Sequence, residues 1–322
     1  AYMGTGIWAL VVQYLLNITI SCLVMWFSVR WRPRLVCNLK RVKVLFAFGW
    51  KLLVSSLIDT IYADLRSLVI GKKYSSSVLG YYDRGKQFPQ FVINAINGAV
   101  QSVMLPAMSA KQDDKTKVKS MMRNSIMLSA YIIFPMMAGL AGGAKPLVEL
   151  LLTEKWLPCV PYMQVYCFTF AFYPVHSCNL QAINAMGRSD INLKLEIIKK
   201  GYGLTALVIA VCFFKTPLAI AMTGVFTTFI SCFVNAHPNK KLINYSYFEQ
   251  MRDLFPSFLA AIAMFLCVLA VGRLPFSLLM ILILQIVCGV VVYLVISVIA
   301  KLKPFKMIYQ MLMSKMNKKG KL

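Results

Sequence analysis

Residues 275–300 read PFSLLMILILQIVCGVVVYLVISVIA, without one charged side chain. A bilayer's hydrocarbon core is about 30 Å thick and a helix rises about 1.5 Å per residue, so a crossing needs roughly 17–25 mostly apolar residues. This stretch is long enough to cross. Apolar runs that approach or reach that length also lie at 5–28, 45–70, 91–108, 124–143, 162–185, 198–214, 217–235 and 255–272. The reading is an all-α integral membrane protein, a polytopic bundle of about nine transmembrane helices.

Composition agrees. The chain has 322 residues, 59% of them hydrophobic and only 14% charged, which is not the balance of a soluble domain. A net charge of +24 could mean a nucleic-acid partner. Such a domain spreads its cations over one face of a folded module, whereas here they gather in the gaps between apolar runs. Of the 35 Lys and Arg, 25 fall in alternate joints: 30–43, 111–123, 188–200, 240–252 and the tail from Lys301 to Lys321. The positive-inside rule puts those joints and the C-terminus in the cytoplasm, and the N-terminus outside. An external N-terminus that begins Ala1-Tyr2-Met3-Gly4, without a basic flank or a cleavage site, is expected of a fragment that lacks earlier spans.

The nine Cys are scattered singly, mostly within spans, with no CxxC pair and no Cys/His ligand spacing, so neither metal nor redox chemistry is expected. No DxD, HExxH, Gly-rich phosphate loop or Ser/His/Asp set is present, and the joints are too short to carry a membrane glycosyltransferase's catalytic groups. The chain therefore reads as no enzyme, with no cofactor and no metal.

Along the chain, 35–47 reads as a cytoplasmic linker and 71–89, 109–123, 145–161, 187–200 and 237–255 as loops. A short surface helix is expected near 147–156. Lys215-Thr216-Pro217 and Arg273-Leu274-Pro275 are expected to close tight hairpins. The Lys-rich tail, with Phe305, Met307, Ile308, Tyr309 and Met311, suits an amphipathic helix on anionic lipid.

Three spans carry polar residues at helical spacing. Lys51, Ser55, Asp59, Tyr62 and Arg66 share an arc about 80° wide. Gln87, Gln90, Asn94, Asn97 and Gln101 repeat at three and four. Tyr166, Tyr173, Ser177, Gln181, Asn184 and Arg188 fall on a third arc, where Pro174 can kink the helix. Asn, Gln and Ser often serve as glue between helices. A charge near mid-membrane costs roughly 2.5–3.5 kcal/mol on insertion scales, so Arg66 and Asp59 are expected to face protein, water or a ligand. His176 reads as a packed histidine and His237 as a solvated one. Polar faces turned on one cavity fit alternating access better than a channel, because no filter-like element repeats.

Several motifs carry a resemblance: LVIGKKYS from Leu68, LGYYDRGKQFPQ from Leu79, VMLPAMS from Val103, LLLTEKW from Leu150 and AINAMGRSD from Ala182, with GIWALV at Gly6 and WRPR at Trp31. The chain resembles the bacterial polysaccharide and O-antigen flippases of the multidrug/oligosaccharidyl-lipid/polysaccharide exporter superfamily. The resemblance implies a fragment of a 14-helix, two-lobe transporter of the bacterial cytoplasmic membrane. Residues 1–34 would close the N-terminal lobe, 35–46 link the lobes and 47–236 form the C-terminal six-helix lobe. Residues 237–300 would be a cytoplasmic loop plus an extra two-helix hairpin, and 301–322 a basic cytoplasmic tail.

The implied cargo is a polyprenyl-pyrophosphate-linked oligosaccharide, flipped for polysaccharide biosynthesis, with membrane lipid and polysaccharide polymerase machinery as further partners. For a pyrophosphate, Arg66, Lys51 and Arg84 are the candidate cations, since Arg grips phosphate oxygens bidentately. Asn94, Asn97, Gln101 and Gln181 offer donors and acceptors to sugar hydroxyls, and Tyr62 or Tyr173 a ring to stack on. Asp59 completes the candidate set. Under the alternative reading, a cation-coupled multidrug exporter of the same superfamily, Asp59 would bind the cation or its coupling ion. A non-transporting scaffold would tolerate Ala at every stripe position.

Overall fold

The computed structural model describes residues 7–29 and 39–319. Among these the chain forms α1 (Ile7–Ser28), α2 (Leu39–Lys73), α3 (Ser76–Ser109), α4 (Lys115–Gly142) and α5 (Ala144–Leu152), then a 3-10 turn (Glu154–Cys159). It continues with α6 (Val160–Ala171), α7 (Tyr173–Ala185), α8 (Ser189–Phe213), α9 (Pro217–Ile243), α10 (Tyr247–Val271), α11 (Leu278–Ile299) and α12 (Lys303–Lys319). No strand occurs among the described residues. Among the described residues six helices, α1, α3, α4, α9, α10 and α11, are long and apolar enough to cross a membrane.

By internal packing the chain divides into residues 1–53 and 54–322. In the first unit every described side chain of α1 is exposed, Trp8, Tyr14, Leu16 and Phe27 among them. That is the surface of a lipid-facing span.

The joints are shorter than the sequence reading expects. Where 71–89 reads as an external loop, α2 runs to Lys73 and α3 starts at Ser76, capped by Ser75, whose Oγ accepts from the Val78 N–H at 3.3 Å. Asp83, Arg84, Lys86 and Gln87 are therefore helical. Their polarity reflects cavities they border, not a loop. Likewise α4 begins at Lys115 behind Asp114, whose Oδ1 accepts from the backbone N–H of Thr116 and Lys117 at 3.2 and 3.1 Å. The Thr116 hydroxyl and Lys117 hold that carboxyl below the usual carboxylate range. Gly187, at φ 71°, ends α7 in the left-handed conformation that glycine tolerates, and α8 follows two residues later. The described part of the expected 35–47 linker, from Leu39, is helical too, while 35–38 lie outside the described residues. The expected span 162–185 is two helices, α6 and α7, broken at Phe172. Pro174 has no N–H to continue the ladder, and the Val175 N–H turns back to the Phe172 carbonyl at 3.1 Å.

Within residues 54–322, α4 packs along α10 and α10 along α11, while α3 lies on α6 and α7, and α9 against α6, α7 and α8. Ile93, Met108, Met122, Ile126, Phe134, Met163, Val175 and Met264 fill the main core. Lipid tails are as apolar as leucine, so burying leucine between two spans gains little, and polar or small residues hold spans together instead. Helix α11 follows this rule closely: its buried residues are Gln285, Gly289, Tyr293 and Ser297, one per turn, while Leu279, Ile286, Val290, Leu294 and Val298 face outward. Tyr131 of α4 donates to Ser297 Oγ at 2.9 Å, and Tyr293 donates to the Tyr131 carbonyl at 2.9 Å.

Two polar knots clamp the bundle. Asn179 of α7 donates to Gln250 Oε1 of α10 at 2.8 Å and accepts from Gln250 Nε2 at 3.0 Å and from Asn239 Nδ2 of α9 at 2.7 Å, all three fully buried. At one end of the α4–α10 pair, Arg123 meets Asp253 at 2.5 Å and Lys119 meets Glu249 at 3.0 Å. Tyr245 donates to the other Asp253 oxygen at 2.9 Å.

Candidate functional site

Tyr62 and Arg66 stand one turn apart on α2; Thr223 and Thr227 stand one turn apart on α9. The two pairs meet. Arg66 Nε donates to Thr223 Oγ1 at 3.2 Å, and its Nη2 donates to Thr227 Oγ1 at 3.4 Å and to the Tyr62 hydroxyl at 3.2 Å. Each threonine hydroxyl spends its own proton on a backbone carbonyl, Thr223 on Ile220 at 2.7 Å and Thr227 on Gly224 at 3.1 Å. Their lone pairs are thereby oriented toward the guanidinium. Among the described residues Nη1 has no hydrogen-bond partner, and the side chain borders a cavity of about 490 Å³.

Tyr62 is itself held between cations. The Arg66 guanidinium carbon lies 5.3 Å from its ring centroid and the Lys200 ammonium 4.6 Å away. Close approach of α8 depends on Gly203, where a Cβ would fall 2.1 Å from the Tyr62 hydroxyl. The same wall brings in Lys199 and Glu196, with Glu196 ion-paired to Lys199 and, at 3.6 Å, to Lys200. Lys86, Gln90, Gln101, Tyr166, Tyr173, His176 and Ser177 complete much of the lining. The lining thus carries four Lys or Arg side chains against one carboxylate, an anion's site by charge.

A second, more open cavity of about 650 Å³ is lined by Asp83, Arg84, Gln87, Asn94, Phe91 and Trp156. Arg84 is pre-positioned there, 2.7 Å from Gln87 Oε1 and stacked 5.5 Å from the Trp156 ring. Lys86 and Gln90 border both cavities.

The structure brings together Tyr62, Arg66, Gln101 and Tyr173 in the first cavity, with Gln101 donating to Ser177 at 3.1 Å. Arg84 and Asn94 belong to the second. Asn97 and Gln181 line neither, although the Gln181 carbonyl oxygen is buried without a hydrogen-bond partner. The side chains of Lys51 and Asp59 lie outside the described residues. Sequence reasoning misses Lys86, Glu196, Lys199, Lys200, Thr223 and Thr227. Lys199 and Lys200 sit in a basic joint that reads only as a topology signal. The Glu-x-x-Lys-Lys spacing, which puts one carboxylate against two ammonium groups on a helix, was the available signal.

Comparison with known proteins then bears on what this cavity belongs to. Residues 1–161 match the model of a family described as polysaccharide biosynthesis protein. The chain belongs to that family. Among curated proteins, this polysaccharide biosynthesis family member is 24% identical over 253 residues to the lipopolysaccharide biosynthesis protein WzxC of Escherichia coli, covering 77% of this chain and 51% of the relative. It is 24% identical over 192 residues to the teichuronic acid biosynthesis protein TuaB of Bacillus subtilis, covering 59% and 40%. The succinoglycan biosynthesis transport protein ExoT of Rhizobium meliloti is 24% identical over 163 residues, covering 51% and 33%. The chain thus spans about half or less of the length of these relatives. Its fold is similar to that of lipid II flippase MurJ in an inward closed conformation, with a TM-score of 0.69 at 15% identity over 87% of this chain and 60% of that one. The family member is a multi-pass helical membrane protein.

Proposed function

We propose that the chain is part of a transporter that flips polyprenyl-pyrophosphate-linked oligosaccharide units across the bacterial cytoplasmic membrane by alternating access, for polysaccharide biosynthesis. The observation that carries this reading is Arg66, held by Thr223, Thr227 and Tyr62 on the wall of a cavity that also holds Lys86, Lys199 and Lys200. A diphosphate needs preorganised cations in a wet site, and Arg66, Lys199 and Lys200 are held by hydrogen bonds or ion pairs before any cargo arrives. The amides of Gln90, Gln101 and Asn94 suit sugar hydroxyls, and Lys86 makes the two cavities one continuous polar path. The lipid tail stays in the membrane. Excess cation disfavours the alternative of a cationic drug as cargo. The relatives' roles in lipopolysaccharide, teichuronic acid and succinoglycan biosynthesis support the same class of cargo.

The role is transport and not catalysis, with the C-terminus in the cytoplasm and polymerase machinery taking up the delivered unit. The test is Arg66→Gln in cells that depend on this transporter. Surface polysaccharide should disappear while the membrane level of the protein stays normal. Full polymer from that variant would remove Arg66 from the site.

A further inference from the structure

Glu196 is a carboxylate in an unusual place. It is 5% exposed, on the wall of the cationic cavity, and ion-paired to both Lys199 and Lys200. The part-exposed ion pairs of Arg123 and Lys119 of α4 with Asp253 and Glu249 of α10 bridge two helices. The Glu196 pairs do not, because Lys199 and Lys200 lie three and four residues on along the same helix. The two ion pairs themselves join no two elements. Their effect is on the cavity: without Glu196, Lys199, Lys200, Lys86 and Arg66 would face one another over a partly desolvated space, with two of them, Lys200 and Arg66, against the same Tyr62 ring. Taking unpaired charges out of water costs several kcal/mol each.

We infer that Glu196 is an internal counter-ion that occupies Lys199 and Lys200 in the empty cavity and is displaced from them by the diphosphate of the cargo. The inference rests on the proposed function and adds to it how the site is regulated. The carboxylate and a phosphate oxygen are equivalent partners for an ammonium group, since both accept its N–H donors and both carry negative charge. The exchange therefore leaves the lysines satisfied at every stage. Binding is weakened by the competition, and release is assisted by it, because Glu196 lies on the same helix as both lysines and can reclaim them as the cargo departs. A transporter gains from this: a cavity of four unopposed cations would hold a diphosphate too tightly to turn over.

The experiment uses the purified full chain in detergent, with geranylgeranyl diphosphate as probe, inorganic pyrophosphate to separate head-group from lipid recognition, and geranylgeraniol as the uncharged control. Glu196→Gln keeps the size of the side chain and removes its charge. It should bind both diphosphates about tenfold more tightly than the native protein, leave geranylgeraniol unchanged, and lower surface polysaccharide in cells. Tightening for geranylgeranyl diphosphate alone would place the lipid chain in the recognition as well, and still supports the exchange. Affinity unchanged or weaker in a variant that melts like the native protein overturns the counter-ion role. If Glu196→Gln does not fold, Glu196→Asp is read the same way: its shorter reach releases one lysine, and affinity at or below native overturns the inference. The underlying function is tested separately by Arg66→Gln. If that variant binds geranylgeranyl diphosphate as the native protein does, the cargo reading fails whatever Glu196 does.

Discussion

Arg66 is productive because of what its neighbours do with their protons. Thr223 and Thr227 donate backward to carbonyls of their own helix and accept from the guanidinium, so the arginine's direction is set by two hydroxyls before any ligand enters. Tyr62 completes the support, and Tyr62 depends on Gly203. Adding a methyl group at Gly203 puts a carbon where the Tyr62 hydroxyl now lies, so the ring must swing away and its bond to Arg66 is lost. Gly203→Ala should therefore reduce polysaccharide export severalfold while the thermal midpoint in detergent shifts only slightly, because the displaced atom is the tip of a side chain and not backbone. Export at the native level would mean that Arg66 does not need Tyr62. Replacing Tyr62 with Phe in the same background should add nothing further, since the hydroxyl's contact is already gone.

At the scale of elements, spans in lipid are held by small and polar residues, and the helices here are built accordingly. Helix α11 buries Gln285, Gly289, Tyr293 and Ser297 and turns Leu279, Ile286, Val290, Leu294 and Val298 outward. The Asn179–Asn239–Gln250 knot does the same for α7, α9 and α10. An amide left unpaired in that interior costs about 1–3 kcal/mol. Asn179→Leu strands Gln250, while Asn239 keeps its bond to the backbone carbonyl of residue 179 at 3.1 Å, so the detergent-solubilised protein should lose roughly 1–3 kcal/mol, seen as a clear fall in its melting temperature. The pairwise replacement of all three amides by apolar residues of similar size should recover much of that loss. An unchanged melt for Asn179→Leu would show that the knot is dispensable glue. Much of this level was legible: polar residues at three- and four-residue spacing mark helix faces. The lengths of helices were not, since Asp83, Arg84, Lys86 and Gln87 look like loop residues until a cavity is found beside them.

For the whole molecule, the exposed surface of an apolar bundle and the alternation of basic joints describe one arrangement, a chain that crosses lipid repeatedly. Helix α3 is a continuous helix of 34 residues, about 51 Å long, and longer than the roughly 30 Å hydrocarbon core even when tilted. Its ends should therefore emerge on opposite sides. Reporter fusions at Ser76 and Lys115 should report outside and cytoplasm respectively; the same sidedness for both would undo the topology and, with it, the alternating-access reading. The two cavities that share Lys86 and Gln90 belong to this scale too, because α2, α3, α6, α7, α8 and α9 together line one of them, and α3 with Trp156 of the 3-10 turn lines the other.

Hydropathy and helical period, read along the chain, were enough to establish a multi-pass helical membrane protein, and to put Tyr62 and Arg66 on one polar face, because transfer into lipid and the 3.6-residue turn are local properties. Partner choice is not local. Arg66 meets Thr223 across 157 residues of sequence, and Lys200 reaches Tyr62 only because Gly203 lets two helices close on each other. Which members of a polar stripe face a cavity, as Tyr166, Tyr173 and Ser177 do, and which, like Gln181 on the same stripe, do not, was decided by packing between helices, where hydroxyls, amides and glycines select a neighbour that periodicity alone leaves open.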